Sequence, residues 1–63
     1  DRRAVVTAEE AGLRATPSET ASPDSTLPGG TMVEVEASRN AWRRVRLGDG
    51  TEWWVSAAAL DEI

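Results

Sequence analysis

The chain contains no cysteine, histidine, lysine, tyrosine or phenylalanine. Without cysteine there is no disulfide and no thiol nucleophile, and without cysteine or histidine there is no structural zinc site of the usual kind. The missing cysteine leaves the redox compartment open, because a reducing cytosol and a disulfide-free extracytoplasmic module both fit it. Packing must therefore stabilise the fold. Three tryptophans in 63 residues make this feasible, because each indole removes roughly 150–250 Å² from water.

Long apolar runs and an excess of positive charge are also absent. No segment approaches the roughly 20 apolar residues of a membrane span, and no signal peptide opens the chain. The net charge of −4 opposes general binding to nucleic acid or to an anionic membrane surface. The only methionine is Met32, and the chain begins at Asp1 without an initiator. We therefore expect one domain, residues 1–63, excised from a longer protein that holds any export signal or anchor.

Catalytic chemistry has little support in the residues. Ser18 and Ser56 have no evident base, and a domain this small has no cleft of its own in which to desolvate reacting groups. The acidic pairs at residues 9–10 and 61–62 are expected to be surface charge, because sequence neighbours on a strand point to opposite faces. No spaced series of aspartates indicates calcium. We expect no enzyme activity, no cofactor and no metal site.

Alternating apolar and polar residues predict an all-β fold. Residues 31–36 place Val33 and Val35 on one face of a strand and Met32, Glu34 and Glu36 on the other, and residues 42–47 alternate again with Val45 and Leu47 inward. A β-branched run at residues 3–8 predicts a first strand. Ser56 is a suitable N-cap for one short 3₁₀ or α turn, which a closing strand follows. The expected architecture is a small five-stranded barrel.

The segment between the first two strands is predicted to be a long irregular loop, residues 9–26. Gly12 interrupts its helix-forming residues, and only Leu13 offers an apolar anchor. The rest of the segment is rich in proline and small polar residues, which is typical of loops. Residues 27–30 and residues 38–40 are predicted to be turns.

The charge of Glu52 decides the register of the hairpin that residues 48–50 close. A two-residue turn would place Glu52 opposite Leu47 on the core face, where an unpaired carboxylate costs kilocalories. A three-residue loop with Gly50 in the left-handed region avoids that cost. This register pairs Leu47 with Thr51, Arg46 with Glu52, and Val45 with Trp53.

The same register separates two faces. The core face contains Val45, Leu47, Trp53 and Val55, and the outer face contains Trp42, Arg44, Arg46, Glu52 and Trp54. Two interpretations of the outer tryptophans stay open. In the first, two indoles flanked by arginines stack on a sugar, a peptide or a partner side chain. In the second, one indole belongs to the core and the other covers the end of the barrel.

The three arginines of residues 42–47 also allow two interpretations. The favoured one is a solvated strand face, in which Arg43, Arg44 and Arg46 pair with acidic residues of the neighbouring strands. The alternative is an anion site. The acidic partners expected under the first interpretation are Glu34, Glu36 and Glu52.

In order and spacing these elements resemble the bacterial SH3 family, from about Ala4 to Ile63. The residues that carry the resemblance are Leu13-Arg14 with Pro17-Ser18, residues 30–35, Trp42 with Val45, Asp49-Gly50, Trp54-Val55 and Leu60. The family's long first loop accounts for residues 9–26. A narrower resemblance is to the C-terminal modules of tetratricopeptide proteins of the bacterial aerotolerance operon.

The resemblance implies a non-catalytic module that binds a protein, a peptide or a peptidoglycan fragment, and it implies a location in the cell envelope or periplasm. The residues expected to bind the ligand are Trp42, Trp54, Arg44 and Arg46. The alternative is a structural domain that docks onto its parent protein or weakly self-associates through Trp53.

Three positions depart from the family pattern or from that of eukaryotic SH3 domains. Trp53 stands where the bacterial family usually has glycine. Ser56 and Ala59 stand where a proline and a tyrosine line the groove of SH3 domains that bind proline-rich peptides. Because recognition of a proline helix needs several aromatic walls, a proline-rich ligand is disfavoured.

Overall fold

The computed structural model describes residues 2–18 and 22–63, and these residues form strands with one 3₁₀ turn, Ala57–Ala59. The strands are β1 (Arg2–Val6), β2 (Glu10–Leu13), β3 (Ser25–Pro28), β4 (Met32–Arg39), β5 (Trp42–Arg46), β6 (Glu52–Ser56) and β7 (Leu60–Glu62). The prediction of an all-β fold with one short turn near the C-terminus is confirmed.

Five of the strands form one antiparallel sheet in the order β6-β5-β4-β1-β7, and β2 and β3 form a separate hairpin. Two backbone hydrogen bonds join the hairpin to β6. Trp54 N donates to Arg14 O at 2.7 Å, and Arg14 N donates to Trp54 O at 3.0 Å. This bridge closes the outer side of β6, so the five-stranded sheet and the hairpin surround one interior.

The interior is small and aliphatic. Its buried residues, each at most 6% exposed, are Ala4, Val6, Ala11, Leu13, Val33, Val35, Val45 and Val55. Leu27, Leu47, Trp53, Ala59 and Leu60 are half-buried and pack against them. The strand alternation therefore predicted the inward side chains of β4, β5 and β6 correctly. Full burial of a valine contributes roughly 1.5–3 kcal/mol relative to its exposed state.

The predicted loop is the main error in the sequence-based fold. Glu10–Leu13 and Ser25–Pro28 are paired strands, and the turn that follows β3 contains Gly29 and Gly30. Residues 19–21 of the predicted loop lie outside the described residues. Leu13 is buried, as expected of the anchor.

Gly12 has a packing role instead of a helix-breaking one. A Cβ atom added at Gly12 would lie 3.0 Å from Pro23 Cβ, which is closer than such atoms normally approach. Glycine in a strand often marks a place where another segment comes close to the backbone. Gly12 thus allows the segment that contains Pro23 to lie against β2.

The hairpin between β5 and β6 has the predicted register. Arg46 pairs with Glu52, and Leu47 N donates to Thr51 O at 2.9 Å. Gly50 has a φ of +88°, the left-handed conformation that the three-residue loop requires.

Two other turns can be compared with their predictions. Ser56 Oγ accepts a hydrogen bond of 3.3 Å from Ala58 N, so its predicted capping role is confirmed, and β7 follows the turn as the closing strand. The polar turn predicted at residues 38–40 is wrong in its bounds, because β4 continues to Arg39 and the turn consists of Asn40 and Ala41.

Candidate functional site

Trp42 begins β5 and lies half-buried beside an open groove at one end of the barrel. The groove lies between Pro17, in the segment that joins β2 to β3, and the turn between β4 and β5. We call it the Trp42 groove. Its volume is about 540 Å³ and its lining residues are Pro17, Arg39, Asn40, Ala41 and Trp42. This volume falls within the range of roughly 300–1,000 Å³ for small-ligand sites.

Trp54 lies beside Trp42 on the outer face of the sheet. Trp42 pairs with Ser56 across the two strands, and Arg44 pairs with Trp54. Directly paired residues share a face, and diagonal neighbours are within reach of aromatic side chains. The register thus brings together Trp42, Arg44 and Trp54. Neither of these two indoles belongs to the hydrophobic core cluster.

Arg14 completes the surroundings of Trp42. Its guanidinium carbon lies 5.7 Å from the centroid of the Trp42 ring, and its Nη1 donates to Ser18 O at 3.4 Å. A cation over an indole face contributes about 0.5–1 kcal/mol at an exposed position. The sequence predictions did not place Arg14 at the site, because its approach to Trp42 depends on the bridge between Arg14 and Trp54.

Arg46 is held by carboxylates of β4. Its Nη2 lies 3.3 Å from Glu34 Oε2, and its Nη1 lies 3.5 Å from Glu36 Oε2. The predicted pairing of Arg46 with strand carboxylates is therefore confirmed. An arginine so engaged has fewer donors left for a ligand.

The predicted partners of Arg43 are wrong. Its Nε lies 3.6 Å from Glu62 Oε2, and its Nη1 donates at 2.9 Å to the carbonyl oxygens of both Asn40 and Trp42. Because strand neighbours point to opposite faces, Arg43 cannot join Arg44 and the acidic residues of the outer face. Pairing of β7 with β1 places Glu62 within its reach instead.

Arg39 and Arg44 are the exposed cations nearest Trp42 along the sheet. Arg39 is the cross-strand partner of Trp42 and lines the Trp42 groove, and Arg44 follows Trp42 by two residues on the same face. Within the part of the chain that the structure describes, neither makes an ion pair. The sequence predictions missed Arg39, because they assigned it to a turn.

Two carboxyl groups meet on the same sheet, farther along the strands. A hydrogen bond from the protonated carboxyl of Glu36 to Glu52 raises the pKa of Glu36, and desolvation and the charge of Glu52 act in the same direction. Arg46 and Arg44 oppose this shift. Glu36 occupies a β-bulge opposite β5, an irregularity that strand alternation alone does not predict.

Trp53 stabilises the hairpin between β5 and β6. Its Nε1 donates to Thr51 Oγ1 at 2.8 Å, and Thr51 Oγ1 in turn donates to Asp49 Oδ1 at 2.6 Å. Thr51 N donates to the same carboxylate oxygen at 2.9 Å. These bonds lower the pKa of Asp49. The ring of Trp53 packs against the core.

Residues 2–18 and 22–63 contain neither a metal-ligand cluster nor a membrane-spanning helix. This part of the chain contains no group of three or more histidine, cysteine, aspartate or glutamate side chains that could hold a metal ion. Nor does it contain a helix whose length and apolar character would allow it to cross a membrane.

Comparison with known proteins identifies the family. No curated protein matches this chain. The family model of the bacterial SH3 domain matches residues 7–62, a range that includes the first loop, the Trp42 groove and all strands from β2 to β7. Domains of this family are typically non-catalytic modules that bind protein or peptidoglycan-type ligands. The chain belongs to the bacterial SH3 domain family.

Proposed function

We propose that this domain binds a peptide, a cell-wall fragment or a segment of a partner protein in the Trp42 groove. One observation carries the proposal: Trp42 lines a groove between two loops and stays outside the core cluster. A flat indole of this kind offers a large and rigid contact surface at low entropic cost. Loops held by a rigid sheet are also the usual position of binding residues.

The other predicted site residues extend this surface to different degrees. Trp54 continues the aromatic surface diagonally from Trp42, and Arg44 adds a cation between them. Arg46 lies at the far edge of the surface. Because Glu34 and Glu36 neutralise it, we assign it a smaller contribution.

The experiment is a titration of the isolated domain with soluble fragments released from peptidoglycan, followed by tryptophan fluorescence. We expect a saturable change in the wild type and none in Trp42→Ala, whose circular dichroism spectrum stays that of a folded β domain. Met32→Ala is the matched control, because Met32 is exposed and lies away from the groove. A Trp42→Ala variant that binds as tightly as the wild type would contradict the proposal.

The alternative role, docking onto the parent protein or self-association through Trp53, has weaker support. The indole N–H of Trp53 already donates to Thr51, and its ring packs against the core. These contacts leave less of Trp53 for a partner. Sedimentation with and without the parent protein separates the two roles: a dimer that dissociates in Trp53→Leu favours the alternative, and a strict monomer whose surface the added parent protein leaves unperturbed removes it.

A further inference from the structure

The Trp42 groove has a charge opposite to that of the chain. The protein has 11 acidic residues and 7 arginines, yet the lining residues of the groove that the structure describes include Arg39 and no carboxylate. The guanidinium of Arg14 lies over the Trp42 ring, and Arg44 is the next outward residue along β5. An acidic protein thus concentrates cations around one half-buried aromatic side chain that lines a groove.

The contrast with three of the other arginines is informative, although Arg3, on β1, also has no ion pair among the described residues. Arg2, Arg43 and Arg46 each form an ion pair with a glutamate of the same chain. Arg39 and Arg44 form none within residues 2–18 and 22–63, and Arg44 acts on Glu36 only through longer-range attraction. Acidic residues are abundant on this surface, but none of those that the structure describes forms an ion pair with Arg39 or Arg44.

We propose that the occupant of the Trp42 groove is a peptide segment that carries a carboxylate, with Arg39 as its principal partner and Arg44 as a second cation. This inference rests on the proposed function and names the chemistry of its ligand. A guanidinium donates two parallel hydrogen bonds to a carboxylate, which gives direction as well as attraction. A neighbouring apolar side chain of the same segment lies on the Trp42 ring.

The charge of the whole domain favours a peptide carboxylate over a polyanion. Each additional negative charge on a ligand is repelled by the net charge of −4, and this repulsion extends over about 10 Å at moderate salt. A peptide with a single carboxylate is repelled only weakly by the net charge of the domain, and Arg39 attracts that carboxylate locally. A nucleic acid incurs it along its full length.

The test compares two pools of hexapeptides that are blocked at both ends. Five variable positions are equimolar mixtures of alanine, leucine, glycine and proline, and one fixed position is glutamate in the first pool and glutamine in the second. Binding is followed through the indole N–H signal of Trp42 in two-dimensional NMR spectra. We expect the glutamate pool to shift this signal at a concentration about fivefold lower than the glutamine pool.

Variants assign the effect to the named side chains. Arg39→Gln should remove the preference for glutamate, Arg44→Gln should reduce it, and Arg39→Lys should restore only part of it, because lysine keeps the charge but lacks the planar fork. Arg3→Gln is the matched control: it removes the same charge from β1, beside a different surface depression. It should leave the preference unchanged.

The outcomes separate this inference from the proposed function. Equal binding of the two pools at Trp42, or equal loss of the preference in Arg3→Gln and Arg39→Gln, would overturn the carboxylate proposal while leaving the groove as the binding site. If the glutamate pool binds and moves only signals remote from Trp42, both proposals fail. If neither pool binds while peptidoglycan fragments do so through Trp42, the carboxylate proposal alone fails.

Discussion

A tryptophan and an arginine lie at each end of the sheet region formed by β4, β5 and β6, but the two ends are organised differently. At the hairpin end, Trp53 is hydrogen-bonded to Thr51 and packed on the core, and Arg46 is paired with two glutamates. At the other end, Trp42 borders an open groove, and Arg39 makes no ion pair among the described residues.

In so small a domain, the type of a residue alone does not indicate whether its side chain serves folding or binding. The hairpin end satisfies its polar groups within the chain, so its tryptophan and arginine are used for stability. At the groove end, Trp42 and Arg39 line an open groove, and we propose that they contact a ligand there. Substitutions at the two ends should therefore separate folding from binding.

The largest effect is expected from Trp53→Ala. Truncation of a packed indole costs about 3 kcal/mol, and a core of this size supplies only about 3–5 kcal/mol of net stability. The variant should thus be largely unfolded at room temperature. Urea unfolding measures this. A Trp53→Ala variant as stable as the wild type would remove the contrast between the two ends.

A smaller loss of stability is expected from Asp49→Ala, with a defined pH dependence. Hydrogen bonds from Thr51 lower the pKa of Asp49 below its ordinary value of 3.8. The carboxylate therefore stabilises the folded state above pH 3.8, and this contribution is lost as the pH falls through the lower pKa of the folded state. The melting temperatures of the variant and the wild type should differ at neutral pH and converge in acid. A constant difference would contradict the assigned role.

Trp42→Ala should have a still smaller effect on stability. The interaction of the Trp42 ring with the Arg14 guanidinium is worth about 0.5–1 kcal/mol, and Trp42 lies outside the core cluster. Urea unfolding should place this variant close to the wild type and well above Trp53→Ala. Equal destabilisation by the two substitutions would show that Trp42 belongs to the fold.

The smallest effect is expected from Glu36→Gln. It is a change in how the free energy of unfolding varies with pH. Because the pKa of Glu36 is raised above 4.5 by Glu52, the folded state takes up a proton before the unfolded state does. This group therefore adds stability as the pH falls through the raised pKa toward 4.5. The variant should lack that gain.

Glu34→Gln is the control for Glu36→Gln. It removes the other carboxylate that Arg46 contacts, and it should keep the gain in stability on mild acidification. The free energy of unfolding is measured by urea denaturation at several pH values. If it varies with pH in the same way in the wild type and in Glu36→Gln, the proposed effect of Glu52 on the pKa of Glu36 is contradicted.

Strand alternation and turn preferences predicted the features of the fold that depend on residues close together in the sequence. The alternation around Val33 and Val45 gave the inward faces, and the charge of Glu52 with the conformation of Gly50 gave the hairpin register. The sequence analysis does not predict the hairpin of β2 and β3. Gly12 is interpreted there as a residue that interrupts a helix, and the close approach of Pro23 to Gly12 is visible only in the folded structure.

The candidate site was less accessible to these rules. Trp42, Trp54 and Arg44 were named from the alternation of a single hairpin, and the register places them on one face. Arg14 and Arg39 were missed, since their positions beside Trp42 depend on closure of the barrel and on the length of β4. Arg43 was paired with the wrong acidic residues for the same reason, because Glu62 comes near only through β7.

One NMR titration tests the separation of the two ends most directly. The domain has three tryptophans, and each should give its own indole N–H signal. On addition of the glutamate peptide pool, we expect the Trp42 signal to move most, the Trp54 signal to move less and the Trp53 signal to stay in place. Movement of the Trp53 signal while that of Trp42 remains fixed would contradict the central claim.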